Sequence, residues 1–237
     1  MLPDLSVKRA TTVERIVDAL REAMLAGELA PGAQLREVDL AEQLKVSRGS
    51  VREALLRLID EGLARRDAFR SVEVTQLSAS EVEDLFRVRK LIELSAVDAA
   101  GEAAESELLP LVRAGEAFAR AIQSGTTSDQ NRTDLGVHTA LVALCGSPRL
   151  SHLHTGLMGE LELALSAQYR GIGSVPGEEL TNRHAEFIRL LRAGDTAAAR
   201  AQLELRLDLS RGRLLRALTA NAHDRNATAT GSAPTTS

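Results

Sequence analysis

Apolar residues recur three and four places apart along nearly the whole chain, and the alternation of a strand interrupts them in one place. The first stripe, Val13, Ile16, Val17, Leu20, Met24 and Leu25, is ended by Gly27. Pro31 and Gly32 mark a turn, and a second stripe follows through Val38, Leu40, Ala41 and Leu44. Almost at once comes a third, through Val51, Ala54, Leu55, Leu58 and Ile59, with Ser47 placed to cap it and Gly62 to end it. Alternation around Leu63, Phe69, Val72 and Val74 then predicts a short hairpin with arginines at its tip. From Ser78, which makes a capping box with Glu81, helical periodicity returns and holds to about residue 220. Breaks near residue 105 and at SGTTS, GSP, GSVPG and AGD divide it into six helices, near 78–104, 106–124, 128–146, 148–171, 178–193 and 195–220. Such a chain is expected to be mostly α, packing helix on helix.

A length of 237 residues has room for two modest cores. The expected organisation is an N-terminal arm at 1–10, a first domain at 11–75, a six-helix domain at 76–220 and a disordered tail at 221–237, whose small polar residues have too little apolar surface to offset the entropy of ordering. Aromatics make up 2% and tryptophan is absent, which weighs against a sandwich or barrel. The single cysteine, Cys145, excludes a disulfide framework and a cysteine-rich zinc module, and fits a reducing compartment. The start lacks the pattern of a signal peptide, and no run approaches the roughly 18 apolar residues of a membrane span. The expectation is a soluble cytoplasmic protein with no membrane partner.

The formal net charge is −4, yet the stretch from Lys45 to Arg70 holds seven basic residues (Lys45, Arg48, Arg52, Arg57, Arg65, Arg66, Arg70) and four acidic ones (Glu53, Asp60, Glu61, Asp67). Two short helices joined by a tight turn have the form of a helix-turn-helix, and Arg48, Ser50, Arg52 and Arg57 lie off the apolar stripe of the second. Guanidinium groups there suit guanine O6 and N7 or a phosphate, and Ser50 with the amides of the helix N-terminus suits phosphate. Taken alone, such a face is equally that of an amphipathic helix whose arginines are solvated or paired with Glu53 and Glu61. The surrounding residues favour the first reading. GELAPGAQL at 27–35, LAEQL at 40–44, VSRGSVREALLRL at 46–58 and EGL at 61–63 resemble the winged helix of the GntR family. The resemblance covers roughly residues 11–75 and implies a homodimeric regulator on a short palindromic operator, with a recognition helix in the major groove and a β-hairpin wing at the minor groove. The candidate DNA contacts are Arg36, Ser47, Arg48, Ser50, Arg52, Arg57 and Arg70. Ser71 stands where the family often has a wing-tip glycine.

The helical half resembles the FCD domain of that family's FadR subfamily: EVEDLFRVRKLIELSAVDAA its opening helix, DLGVH and CGSPRL its middle, NRHAEFIRLLRAGDTAAARAQL its end. Six helices point to the VanR-like branch. The resemblance implies a helical bundle around a small-molecule cavity that takes an organic acid and controls DNA binding, as a repressor in the usual case. It also implies a divalent metal, such as zinc, held by one Asp and three His. Asp134 and His138, four apart, share a helical face, and His184 lies on the next-to-last helix. The family's fourth ligand falls on Arg206, which cannot coordinate a metal. Either three ligands and a water hold the ion, or Arg206 replaces it as receptor for the effector's carboxylate, or Arg206 bridges to Asp134 with His138 and His184 as core residues. The effector candidates are therefore Arg89, Asp134, His138, His184 and Arg206, with Arg89 open to a second reading as an exposed helical partner of Glu93. His152, His154 and His223 are assigned no site. Two other functions compete with regulation: a metal-dependent hydrolase using Asp134, His138 and His184, and a nonspecific architectural DNA-binding protein. The first lacks any HExxH pair, GxSxG elbow or phosphate loop, and the second leaves the pocket positions without a purpose.

Overall fold

The computed structural model describes residues 11–67, 71–169 and 177–230, and the chain forms two compact units, residues 1–76 and 77–237. In the first, α1 (Thr12–Ala26) opens with a capping box between Thr11 and Glu14 and closes on Gly27 at φ 82°, a left-handed conformation that glycine adopts without a steric penalty. Its buried residues Ile16, Val17, Leu20 and Met24 belong to the core shared with α3 (Arg48–Asp60), which contributes Val51, Ala54, Leu55 and Leu58. Between them in sequence lies α2 (Glu37–Leu44), and the turn from α2 to α3 takes three residues, Lys45, Val46 and Ser47. Lys45 sits at φ 55°, where a side chain costs on the order of 1 kcal/mol. Arg21 on α1 clamps Glu61 at the end of α3 with bonds of 2.7 and 2.9 Å, so among the described residues the partner of Glu61 is not an arginine of α3.

The hairpin forms as β1 (Ala64–Arg66) antiparallel to β2 (Val72–Val74), in the register Ala64 to Val74. Phe69 and Arg70 lie outside the described residues, as does the arm at 1–10. The segment after Pro31 does more than turn. Gly32 donates to the Val74 carbonyl at 2.9 Å, Val74 donates back to Ala33 at 2.9 Å, and Leu35 donates to Val72 at 2.7 Å, so residues 32–35 form a third rung beside β2. Four residues that begin within a Pro-Gly turn are too few to show alternation.

The second unit consists of α4 (Ala79–Glu102), α5 (Glu105–Ser124), α6 (Thr127–Ala143), α7 (Pro148–Tyr169), α8 (Gly177–Arg192) and α9 (Thr196–Thr230). Capping boxes start α4 at Ser78 and Glu81 and α6 at Thr126 and Asp129. Helix α4 runs along α9, α5 packs on α6 and α8, and α6 packs on α7, around Phe118, Phe187, Leu161, Leu203 and Leu214. Polar positions facing this centre form the pocket. One expectation is overturned. Residues 221–230 are helical, not disordered, because α9 continues to Thr230. Extending an existing helix needs no new nucleus, Ala220, Ala222, Ala227 and Ala229 favour it, and no glycine or proline intervenes before Gly231. Residues 231–237 lie outside the described set. No helix among the described residues is long and apolar enough to cross a membrane.

Candidate functional site

The first of two candidate regions is the outer face of α3. Ser47 caps the helix by accepting from the Ser50 amide at 3.1 Å, and the two hydroxyls share a further bond of 2.8 Å. Arg48 is exposed in the first turn, and Arg36 is exposed at the N-cap of α2, where its side chain makes no capping bond. Arg52 does not stand alone: its Nε and Nη2 donate to the two oxygens of Glu37 on α2 at 2.9 and 2.8 Å. Arg57 pairs with Glu53 one turn earlier at 2.9 Å. Arg36, Glu37, Arg52 and Arg66 line one surface groove. Hydrogen bonds from Arg52, and the charges of Arg52, Arg48 and Arg66, hold the Glu37 carboxyl below the usual range. At the turn end of the hairpin, Ser71 donates its amide to Asp67 Oδ1 at 2.8 Å and its hydroxyl to Oδ2, and Asp67 donates its amide back to the Ser71 carbonyl at 2.9 Å. A serine thus serves at this position by closing the hairpin through its side chain. Glu37 escaped the sequence reading because fifteen residues separate it from Arg52, and only the α2–α3 turn brings them together.

The second region is a cavity of about 70 Å³ in the helical unit, lined by Arg89, Asn131, Asp134, His138, Arg183 and Arg206 among others. Its floor is a buried charge network centred on Glu93. That carboxylate accepts from Arg89 Nε at 2.5 Å, lies 2.6 Å from His138 Nδ1 and 3.2 Å from His154 Nε2, and is fully buried. Arg89 is therefore no exposed helical partner, being 2% exposed and part of the cavity wall. His154, assigned no site from sequence, proves to be buried and joined to Glu93. Its signal was present: positions 154, 158, 161 and 165 are all buried and follow helical spacing, so His154 lies on the apolar stripe of α7.

Arg206 Nη2 lies 2.6 Å from His138 Nε2. A guanidinium has no acceptor, so Nε2 must accept, which places the proton of a neutral His138 on Nδ1, where it is donated to Glu93. Burial, helped by the charges of Arg89 and Arg206, pushes His138 down to about 3 against the pull of Glu93. Burial likewise lowers Arg206, and Asp134 and Glu93 oppose it. The guanidinium carbon lies 5.7 Å from the centre of the Phe187 ring. Asp134 is 3.0 Å from His184 Nε2. Burial would raise Asp134, but its hydrogen bond with His184 and the positive charge of Arg206 hold it below the usual range. Glu93, which burial would also raise, is held well below that range by the charge of Arg89 and the bonds from His138 and His154. Of the three alternatives left open for Arg206, a direct bridge to Asp134 does not form among the described residues: Arg206 bonds His138, and Asp134 acts on it through its charge.

The structure does gather three of the four family ligand positions, since one ligand atom each from Asp134, His138 and His184 lie within 4.8 Å of one another. A resident dication nevertheless does not fit these residues as they stand. The lone pair that His138 would offer is engaged by Arg206, and the guanidinium places a positive charge against the ion.

Residues 12–74 match the bacterial regulatory proteins of the gntR family, and residues 84–209, more than half of the chain, match the FCD domain. The chain is 31% identical over 136 residues to the HTH-type transcriptional regulator YdhC of Bacillus subtilis (strain 168), a match spanning 56% of this chain and 61% of that protein. It is 31% identical over 145 residues to an HTH-type transcriptional regulator in the TAR-I ttuE-ttuC' intergenic region of Agrobacterium vitis, across 58% of this chain and 83% of the relative. The crystal structure of a transcriptional regulator GntR from Rhodococcus sp. RHA1 has the same fold, with a TM-score of 0.70 at 26% identity over 86% of this chain and 97% of the other. With a gntR-type first unit and an FCD second unit, the arrangement of the FadR subfamily, the chain belongs to the GntR family.

Proposed function

We propose that the chain is a transcriptional repressor, not an enzyme, acting in the cytoplasm as a homodimer on a short palindromic operator and released from it by a small organic anion. Residues 11–75 bind DNA and residues 76–220 bind the effector and dimerise. Helix α3 enters the major groove, with Arg48 and Arg52 at base edges and Arg36, Ser47, Ser50 and Arg57 toward phosphates, and Arg70 is a further contact to DNA. In the cavity, Arg206 receives a carboxylate of the effector, with Asp134, His138, His184 and Arg89 around it.

The observation that carries the effector reading is the bond from Arg206 to His138. A permanent cation held by a neutral imidazole, with no carboxylate bonded to it among the described residues, retains charge for an incoming anion at the place the family gives to a metal. The test is a thermal-shift screen of carboxylates and sugar acids on the full chain, with and without chelator, followed by operator titration in the presence of any ligand found. The expected result is chelator-independent stabilisation that Arg206→Ala abolishes, together with weaker operator binding. Equal ligand affinity for free and operator-bound protein would refute control by the effector, because coupling is reciprocal. Stabilisation that disappears with chelator would refute the metal-free pocket.

A further inference from the structure

Arg52 grips Glu37 with one edge of its guanidinium. Nε and Nη2 take the two carboxylate oxygens at 2.9 and 2.8 Å, while the arginine side chain remains 62% exposed. An arginine has five N–H groups, so three are left. They include the parallel pair on the end of the fork, one from Nη1 and one from Nη2, at the spacing that suits guanine O6 and N7. The carboxylate also sits among arginines. Arg36, Arg52 and Arg66 line the groove that contains it, together with one other acid, Asp39, to which no arginine of the groove is bonded among the described residues, and Arg48 is near enough for its charge to act on Glu37. In a surface that attracts DNA by its positive charge, one acid lowers affinity for any duplex, since it repels phosphate and cancels a neighbouring cation.

We propose that Glu37 is a positioning residue for sequence reading: it fixes the side edge of Arg52 so that the end edge meets a guanine in each operator half-site, and its charge keeps Arg52 from serving as a general phosphate anchor. This rests on the reading of α3 as the recognition helix. An unrestrained arginine loses rotamer freedom when it docks and can satisfy itself on any phosphate, whereas one held at two points has lost that freedom already. Glu37 thus exchanges affinity for discrimination.

The full chain is tested by selection from a randomised duplex library with sequencing of the bound fraction, and by anisotropy on an unselected duplex of the same length. The unaltered protein is expected to enrich a two-fold motif with a guanine in each half that Arg52→Ala no longer selects. Glu37→Gln should reduce the preference for that guanine about tenfold while binding of unselected duplex becomes tighter. Glu37→Asp keeps the charge but is one methylene too short for the two-point grip, so the preference should fall without the tighter unselected binding. A Glu37→Gln protein that retains the guanine preference overturns the proposal. A motif unchanged in Arg52→Ala overturns Arg52 as the reader and the proposal with it, and a library with no enrichment by the unaltered chain overturns the DNA-binding reading itself.

Discussion

Helices α3 and α4 each carry an arginine–glutamate pair four residues apart, and the two have opposite consequences. Glu53 and Arg57 on α3 are 2.9 Å apart with side chains 57% and 44% exposed. Arg89 and Glu93 on α4 are 2.5 Å apart and 2% and 0% exposed. By helix rules alone the α3 pair is the better one, since its acid precedes its base. Burial reverses the order. Water solvates both members of the exposed pair whether or not they touch, so the contact changes little. In the core each charge depends on the other, and Glu93 also anchors His138 and His154. One motif is a solvated face, and the other is a fixed floor beneath the cavity.

The comparison is broken most severely by Glu93→Gln, which leaves the Arg89 charge in the core without its counter-ion. The expected loss is about 3–5 kcal/mol in denaturant unfolding, and a joint Arg89→Leu and Glu93→Leu replacement should recover only the part due to the unpaired Arg89 charge, since His138 and His154 still lose their acceptor. A loss below about 1 kcal/mol would show that water reaches the pair and that the two environments are not as different as their exposure. An intermediate effect is expected at the edge of the network. Arg206→His removes the cation and completes the family's ligand set with Asp134, His138 and His184, so zinc at about one hundred times its dissociation constant should stabilise this variant by about 2.7 kcal/mol. The unaltered protein should show no such zinc response, and a stoichiometric metal that survives dialysis of it would mean that three side chains and a water suffice. The smallest effect sharpens the exposed side: Glu53→Gln should change stability by at most about 0.5 kcal/mol and leave Arg57 available to phosphate. A larger loss would indicate that the α3 pair holds the helix in place.

Periodicity and caps made most of the fold legible. Ser47, Ser78 with Glu81, and Gly27 mark helix boundaries through local hydrogen bonding, which a single sequence contains in full. The end of α9 was misread because the polar composition of residues 221–230 was weighed as if the segment had to fold alone, when it extends a helix already packed. Among the pocket residues, Asp134, His138, His184 and Arg206 were found through the family pattern, and the structure gathers them around one cavity and its wall. What spacing does not contain is burial. Arg89 with Glu93 reads like Glu53 with Arg57 until other helices cover it, and the spacing that sets His154 on the apolar stripe of α7 does not show that Glu93 lies opposite. Glu37 and Arg52 meet only through the turn at Lys45, a contact that no pattern of spacing encodes.

The rung made by residues 32–35 beside β2 has a consequence for how this protein can be rebuilt. The wing is laced to the stretch leading into α2 through Gly32, Ala33 and Leu35, and Gln34 bridges Glu73, the residue that also takes the Arg65 side chain at 2.9 Å. The hairpin is therefore not a detachable cassette. A graft that swaps the wing from a relative while keeping the native 32–35 segment joins edges that were never matched, and the mismatch is passed to Arg36 and Glu37 just beyond. Chimeras that exchange both segments together keep the three rungs in register, so the natural unit of exchange in this reading head is discontinuous in sequence.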